Sequence, residues 1–392
     1  MGTSICLHNG TVLTGFAAME HCAVLIEDDV VSDVFSQKRF ERRKFDSGVQ
    51  IIDARGAYIA PGFIDTHIHG TGGFGTEDAD AGESALAMSR LLAEQGVTAF
   101  NPTLYPSEPE KLVKTIRDIT RVMGREEGAR IMGLHLEGPF ISPLYAGALS
   151  SEAILPVDIS FMEKLWEASC GRIVNMTVAP ELKGMREIAL YCIKKGIVLQ
   201  AGHTDARYDN MTEGMQAGIL HSTHLFNAMS RLDHRNPNAV GAILIHREMS
   251  CEIIADGFHV HPDLLQLLSR NKPVDKIVLI TDGLKPAGQK EGPFFANGDE
   301  VEFRDGAFRR VSDGVIAGSG LTMIKGIQNM TDENFSLEDA VKTATFNPSQ
   351  VMRYTRQGAI IPGKLADITV FSKDFTICLV LIGGKIIFNN IK

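Results

Sequence analysis

The chain reads Gly62-Phe63-Ile64-Asp65-Thr66-His67-Ile68-His69-Gly70 at its most informative point, where two histidines end an apolar run. In a β-strand, side chains two residues apart point to the same face of the sheet. His67 and His69 can therefore direct two imidazoles towards one point, as the ligands of a metal ion do. The pair alone is equally typical of a polar sheet face, so its interpretation depends on the later apolar runs.

Four more candidate ligands, Glu137, His203, His224 and Asp282, each follow a run with strand character. Eight such runs alternate with helical patterns, and they end near His69, Thr103, Glu137, Pro180, His203, His224, His259 and Asp282. This alternation predicts an α/β fold with a parallel sheet, and eight βα units predict a (β/α)8 TIM barrel. Barrel sites lie at the carboxyl ends of the strands, where these polar residues fall. Structural core histidines would be scattered instead.

Both ends of the chain show short strands and turns, with hairpin signals at Asn9-Gly10 and Gly383-Gly384. The pattern predicts that residues 1-58 and 355-392 combine into one small β domain around a catalytic domain at 59-354. Asn-Gly and Asp-Gly turn signals also predict a β-rich insertion at about 294-319.

Composition and net charge disfavour several classes of partner. The 392 residues carry a net charge of −9, which disfavours nucleic acid and anionic membranes. The longest apolar run, residues 377–382, is far shorter than the roughly 20 residues of a membrane helix. Six scattered cysteines and the lack of a signal-peptide pattern favour a reducing compartment, so we expect a cytoplasmic protein.

The candidate ligands suit a hydrolytic metal centre. Glu137, His203 and His224 form a ligand set for Zn²⁺ or Fe²⁺ with an open position for water. Such a metal lowers the pKa of its water to about 7 and polarises a carbonyl oxygen. Asp282 is the candidate base for the water proton. Taken alone, the position of Glu137 is as typical of a solvated loop carboxylate as of a metal ligand.

Eight motifs together make the chain resemble the amidohydrolase superfamily and, within it, the N-acetylglucosamine-6-phosphate deacetylase family. They are PGFIDTHIHG, GLHLEGPFISP, AGHTDA, THLFNAMS, ADGFHVHP, LITDGLKPAG, GSGLTM and PGKLADI. The resemblance implies a metal-dependent TIM barrel with a small β-sandwich formed from both chain termini. It also implies hydrolysis of the N-acetyl group of N-acetylglucosamine 6-phosphate to glucosamine 6-phosphate and acetate, in amino-sugar catabolism.

The same resemblance implies roles for individual residues. Glu137, His203 and His224 would hold the main metal, and Asp282 would be the catalytic acid/base. One branch of the family lacks the His-x-His pair and uses a single metal. Because His67 and His69 are present here, we expect one or two divalent ions per subunit, with Glu137 bridging them if there are two.

For the substrate, the resemblance implies contacts from the backbone at Asn227 and Ala228, and phosphate binding by Arg235 and His259. The family's arginine loop reaches into the neighbouring subunit, which implies a homodimer. From the residues alone, Arg235 is typical of a surface arginine and His259 of a buried, hydrogen-bonded histidine. One departure stands out: Leu149 occupies a position where many members have a histidine.

Three alternatives remain open. A deacetylase of N-acetylgalactosamine 6-phosphate would use the same motifs. A cyclic-amide hydrolase of the same superfamily usually has a carboxylated lysine at the fourth strand end, where this chain reads Val178-Ala179-Pro180-Glu181. A scaffold without activity would have lost metal ligands, and this chain retains them.

Overall fold

The structure is a computed structural model, and it describes residues 4–391. The strands are β1 (Ser4–Leu13), β2 (Ala18–Glu27), β3 (Val30–Ser36), β4 (Val49–Asp53), β5 (Tyr58–Pro61), β6 (Phe63–Ile68), β7 (Gly70–Thr71), β8 (Phe74–Gly75), β9 (Val97–Leu104), β10 (Arg130–Ile131), β11 (Leu134–Glu137), β12 (Ile173–Val178), β13 (Val198–Ala201), β14 (His221–Ser222), β15 (Cys251–Ile254), β16 (Ile277–Ile280), β17 (Gly292–Ala296), β18 (Asp299–Arg304), β19 (Ala307–Arg310), β20 (Ile316–Ser319), β21 (Ile368–Phe371), β22 (Ile377–Ile382) and β23 (Lys385–Asn389).

The helices are α1 (Gln37–Arg42), α2 (Ala81–Glu94), α3 (Pro109–Val122), α4 (Ile159–Ala168), α5 (Met185–Lys195), α6 (Tyr208–Gln216), α7 (Asn238–Ile245), α8 (Pro262–Asn271), α9 (Met323–Asp332), α10 (Leu337–Ala344) and α11 (Phe346–Val351). Short 3₁₀ turns lie at Pro143–Tyr145, Ser151–Ala153 and Val274–Lys276. Among the described residues, no helix is long and apolar enough to cross a bilayer.

The α/β fold predicted from the sequence is confirmed. Strands β6, β9, β11, β12, β13 and β14 pair in parallel in one curled sheet, and β15 pairs in parallel with β16. At least one helix follows each of these strands before the next begins. Two backbone hydrogen bonds link the two sheets at their ends. Leu225 N donates to Glu252 O at 2.9 Å, and Asp282 N donates to His67 O at 2.9 Å. The eight strand ends therefore face one region.

Helix α3 shows how the sequence builds the outer layer. Glu108 accepts a hydrogen bond from Lys111 N at the start of the helix, and Pro109 occupies its first turn, where the missing N–H costs little. Five apolar side chains at helical spacing face the sheet and are buried, namely Leu112, Val113, Ile116, Ile119 and Val122. The helix thus covers the strands and leaves their carboxyl ends open.

Both chain ends contribute to a separate sheet. Its strands lie in the order β23, β22, β21, β5, β1, β2 and β3, with β4 paired to β1. Ile5 and Leu7 of β1 pack in one apolar cluster and Cys6 in another, as alternation along a strand requires. Strand β5 carries this sheet past residue 58 to Pro61. The division into 1-58, 59-354 and 355-392 remains a prediction, and residues 1–3 and 392 lie outside the described residues.

Of two further predictions from the sequence, one agrees with the structure and the other does not. Strands β17 to β20 form an antiparallel sheet in the region expected to be an insertion. The prediction that the seventh strand ends near His259 is wrong, because β15 ends at Ile254. Gly257 follows with φ of +83°, a left-handed conformation that suits glycine and turns the chain. His259 is therefore a loop residue beyond the strand.

Candidate active site

Six predicted metal or catalytic residues meet at the carboxyl end of the parallel sheet. Their side chains come from five strands or the loops after them, and each residue is at most 9% exposed: His67, His69, Glu137, His203, His224 and Asp282. They form two groups whose ligand atoms lie within 4.8 Å of one another. The structure thus brings together side chains that are more than 200 positions apart in the chain.

The first group consists of Glu137, His203 and His224. Glu137 Oε1 lies 3.1 Å from His203 Nε2 and 3.0 Å from His224 Nε2, and the two ring nitrogens are 3.2 Å apart. His203 Nδ1 donates to the carbonyl of Tyr145 at 2.9 Å. That hydrogen bond directs the other nitrogen of the His203 ring towards the carboxylate.

The second group consists of His67, His69 and Asp282. Asp282 Oδ1 lies 3.4 Å from Nε2 of each histidine. His69 Nδ1 donates to the carbonyl of Thr103 at 3.1 Å, which turns His69 Nε2 to the site. Glu137 joins the two groups, since its Oε2 lies 3.2 Å from His69 Nε2 and its Oε1 3.5 Å from His67 Nε2.

The backbone at these strand ends is strained. His203, His224 and Asp282 all have positive φ, at 46°, 20° and 50°. Residues other than glycine rarely adopt this conformation, and each instance costs of order 1–3 kcal/mol. Three residues of the cluster adopt this unfavourable conformation. The fold therefore directs their side chains into the site at a cost in local stability.

The electrostatics of the cluster are coupled. Burial alone raises the pKa of Glu137, but the His67 charge and hydrogen bonds from His203 and other histidines hold it well below its ordinary value. Burial also opposes ionisation of Asp282, yet the charge of His67 lowers its pKa. For His67, burial is outweighed by the charges of Glu252, Asp282 and Glu137, which raise the pKa to about 10. Both carboxyl groups are therefore ionised at neutral pH.

This donor set fits a divalent metal ion. His203 Nε2, His224 Nε2 and Glu137 Oε1 lie within 3.2 Å of one another, so a single ion can bind all three atoms. His67 Nε2 is buried and has no hydrogen-bond partner among the described residues. A buried polar atom without a partner costs about 1–3 kcal/mol. Histidine and carboxylate are ligands of Zn²⁺ and Fe²⁺.

A cavity of about 300 Å³ opens above the cluster. Besides five of the cluster residues it is lined by Tyr105, Gly147, Ala148, Leu149, Asn227, Ala228, His259, Leu284, Ala296, Asn297, Asp299, Val301, Val315, Ile316, Ala317 and Gly318. Three predicted substrate residues, Asn227, Ala228 and His259, therefore reach the cavity. His259 Nδ1 lies 2.7 Å from Asp256 Oδ2, so this histidine is oriented by a buried carboxylate.

Arg235 is not at the cavity of its own chain. It lies in an exposed loop, and its backbone N–H donates to Asp233 Oδ1 at 2.8 Å. The structure thus leaves the predicted phosphate-binding arginine apart from the other substrate residues. Its role across a dimer interface remains a prediction.

The cavity wall contains residues that sequence reasoning missed. Strands β17 to β20 form part of it through side chains such as Ala296 and Val301. Arg310 holds this sheet against the loop before Leu149, since its guanidinium donates to the carbonyls of Ala148 at 3.4 Å and Gly147 at 3.5 Å. Turn signals revealed the insertion, but nothing in them showed which way it folds.

Leu149, the departure from the family pattern, lies in the apolar part of this wall. It is 6% exposed and belongs to a cluster with Tyr105, Ile141 and Leu284. Tyr105 in turn stacks on His69, with ring centroids 3.8 Å apart. A leucine donates no hydrogen bond, so any polar contact to a substrate on this side comes from other residues.

Comparison with known proteins places the chain in a class. Residues 58–387 match the amidohydrolase family, and the chain belongs to that family. The two groups of histidine and carboxylate side chains described above are candidate metal ligands of such a hydrolase.

Within the class, the relatives are deacetylases of N-acetyl amino-sugar phosphates. The chain is 34% identical to N-acetylglucosamine-6-phosphate deacetylase of Bacillus subtilis (strain 168), over 99% of this chain and 98% of the relative. It is 28% identical to N-acetylgalactosamine-6-phosphate deacetylase of Escherichia coli O157:H7, over 86% of this chain and 90% of the relative. The chain therefore falls among the N-acetylglucosamine-6-phosphate deacetylases, as its motifs predict.

Solved structures give the same result. A mutant N-acetyl-D-glucosamine-6-phosphate deacetylase from Mycobacterium smegmatis, solved in complex with N-acetyl-D-glucosamine-6-phosphate, superposes with a TM-score of 0.89 at 26% identity. The match covers 99% of this chain and 100% of that one. The deacetylase from Thermotoga maritima gives a TM-score of 0.86 at 26% identity, covering 98% and 99%.

Proposed function

We propose that this protein hydrolyses the N-acetyl group of N-acetylglucosamine 6-phosphate to glucosamine 6-phosphate and acetate, in amino-sugar catabolism. The observation that carries the proposal is the pair of ligand groups joined by Glu137 at the base of the cavity. The relatives named above support the substrate. The cytoplasmic location expected from the sequence stays a prediction.

We propose two divalent ions per subunit, zinc or iron, and Glu137 is the side chain that contacts both ligand groups. Glu137, His203 and His224 would hold one, and His67, His69 and Asp282 the other. When bound, the ions polarise the amide carbonyl and lower the pKa of the attacking water. The buried position of the donors, together with the cavity walls, keeps bulk water away from the reacting amide.

Asp282 acts as the acid/base. Its carboxylate is ionised, lines the cavity and is the only carboxylate besides Glu137 in the described cluster. The carboxylate takes the proton of the attacking water and then donates it to the amide nitrogen, so that the amine leaves neutral. Atoms and charge balance, because water supplies the hydroxyl of acetic acid and the proton of the amine.

Few positively charged side chains are candidates for binding the phosphate of the sugar. His259, oriented by Asp256, lies in the cavity wall, and Asn227 and Ala228 line the same cavity. Arg235 would come from the second subunit of a homodimer, since it is exposed and apart from its own cavity. A guanidinium binds phosphate oxygens with two parallel hydrogen bonds.

We also propose that the parallel strands close as a (β/α)8 TIM barrel and that the sheet of the termini folds as a β-sandwich. Hydrogen bonds from Leu225 to Glu252 and from Asp282 to His67 support the closure. The two apolar clusters on opposite faces of β1 support the sandwich.

N-acetylgalactosamine 6-phosphate is the second candidate substrate, because a relative with that name matches the chain over 86% of its length. A cyclic-amide hydrolase is less well supported, since Val178 ends β12 with no lysine and Glu137 already joins the two groups.

A substrate panel tests the proposal. The purified enzyme would be assayed for acetate release from N-acetylglucosamine, N-acetylgalactosamine and both of their 6-phosphates. We expect the highest kcat/KM with N-acetylglucosamine 6-phosphate. Faster turnover of the galactosamine compound would support the second candidate, and no acetate from any of the four would contradict the proposal.

A further inference from the structure

Glu252 is a buried carboxylate with no part in the function proposed above. It lies within the otherwise apolar strand β15 and is 0% exposed. A charge in such a place is strongly unfavourable unless partners compensate it. Its surroundings therefore indicate what it does.

The three hydrogen-bond partners of Glu252 are all donors, and His221 Nε2 lies farther away, 3.8 Å from Oε1. Oε2 lies 3.0 Å from His67 Nδ1 and 3.3 Å from the backbone N of His224, and Oε1 lies 3.0 Å from Gln200 Nε2. A carboxylate only accepts hydrogen bonds, so it suits all three donors at once. Among the three histidines anchored through Nδ1, His67 alone uses a charged acceptor; His69 and His203 use backbone carbonyls.

A chain of buried amides holds Gln200 and Glu252 in place. Gln200 Oε1 accepts from Asn175 Nδ2 at 2.8 Å, Asn175 Oδ1 accepts from Asn101 Nδ2 at 3.2 Å, and Asn101 Oδ1 accepts from Tyr354 Oη at 2.7 Å. Because the oxygen of the Gln200 amide accepts from Asn175, its nitrogen faces the other way and donates to Glu252. The two carboxylate oxygens of Glu252 are thus fixed by different donors, Oε1 by Gln200 and Oε2 by His67.

We infer that Glu252 is the positioning residue of the second metal group. With a metal bound, it fixes His67 with the proton on Nδ1, so that the Nε2 lone pair is free for the ion. Its hydrogen bond from the His224 backbone joins the strand end of the first group to the same carboxylate. The inference rests on the proposed metal centre, and outer-shell partners of this kind typically contribute 10–100-fold to metal affinity.

Zinc titration of E252Q tests this role. Glutamine keeps the size of the side chain but offers an NH₂ donor where His67, His224 and Gln200 also donate. We expect the second zinc to bind about 10–100-fold more weakly, and the first to change by no more than a few-fold. Affinities would be measured by competition with a chelator on stripped protein.

Asn101→Ala is the matched control. It removes a buried amide from the same series of hydrogen bonds, and Asn101 contacts none of the candidate metal ligands. If Glu252 were only structural, both variants would lose zinc in proportion to their fall in Tm. Wild-type affinity for both zinc ions in E252Q would overturn the inference.

A measurement on the wild type decides the question even if E252Q does not fold. Histidine-labelled, zinc-loaded protein would be examined by long-range ¹H–¹⁵N NMR, with the His67 signal assigned by its loss in His67→Asn. We expect a proton on His67 Nδ1. A proton on Nε2 would overturn the role of Glu252, whereas a wild type that binds one zinc contradicts only the two-ion proposal.

Discussion

Replacing Asp282 with asparagine separates its chemistry from its structural role. Asp282 has φ of 50°, and asparagine tolerates that left-handed conformation better than most residues. Its backbone N–H donates to His67 O, and its carbonyl accepts from Ser319 N at 3.0 Å; both bonds survive the change. We therefore expect the variant to fold and to bind the sugar phosphate with an ordinary KM.

The amide of asparagine does not accept the water proton, so the general acid–base contribution is lost. That contribution is typically about 10²–10⁴-fold, or roughly 3–5 kcal/mol of activation free energy. The assay is steady-state acetate release, with zinc content measured on the same sample because Asp282 Oδ1 also lies 3.4 Å from two candidate ligands. Asp28→Asn is the matched control, since Asp28 has φ of 55° in an exposed turn. A zinc-replete Asp282→Asn enzyme within a few-fold of wild type would refute the assignment.

Three further predictions concern metal, phosphate and the cavity wall. His203→Ala should strip metal from the first group and abolish turnover while circular dichroism stays that of the wild type. Arg235→Ala should lower kcat/KM for the 6-phosphate by about 10–100-fold, from the 1.5–3 kcal/mol of a charged hydrogen bond, with little change for the unphosphorylated sugar; an equal loss on both substrates would show that Arg235 is structural. Arg310→Ala should raise KM about 2–10-fold because the loop at 147–148 loses its hydrogen bonds, whereas Arg309→Ala should leave KM unchanged.

The subunit origin of Arg235 has its own test. Mixing an Arg235→Ala chain with an Asp282→Asn chain gives a hybrid dimer in which one site has both residues intact, if the arginine comes from the partner. Activity should then return. Confirmed hybrids without activity would place Arg235 in its own subunit's site.

The sequence predicted that these side chains lie together, because the signals for strand ends are local, and their role as ligands remains a prediction. A two-residue period brings His67 and His69 to one face, and an apolar run followed by Glu137 or Asp282 marks a strand end. Parallel strands then bring those ends together without any pairwise signal. The seventh strand end was misplaced because Ala255 extends the apolar run, whereas Gly257 turns the chain in the structure.

Contacts between residues far apart in the sequence could not be predicted from local patterns. Glu252 and His67 are 185 positions apart, and one carboxylate in an apolar strand gives no sign of its partner. The only available hint was that carboxylate itself, which a buried strand does not tolerate without donors. The place of Arg235 also depends on a second chain, whose position no local pattern specifies.

Reconstitution with metal tests the central claim most directly. The enzyme would be stripped with a chelator, and acetate release from N-acetylglucosamine 6-phosphate would be followed as zinc is added in measured equivalents. The geometry of Glu137, His203 and His224 beside His67, His69 and Asp282 predicts no turnover without metal and a rise that ends at two equivalents per chain. Full activity in a demonstrably metal-free preparation would contradict the account.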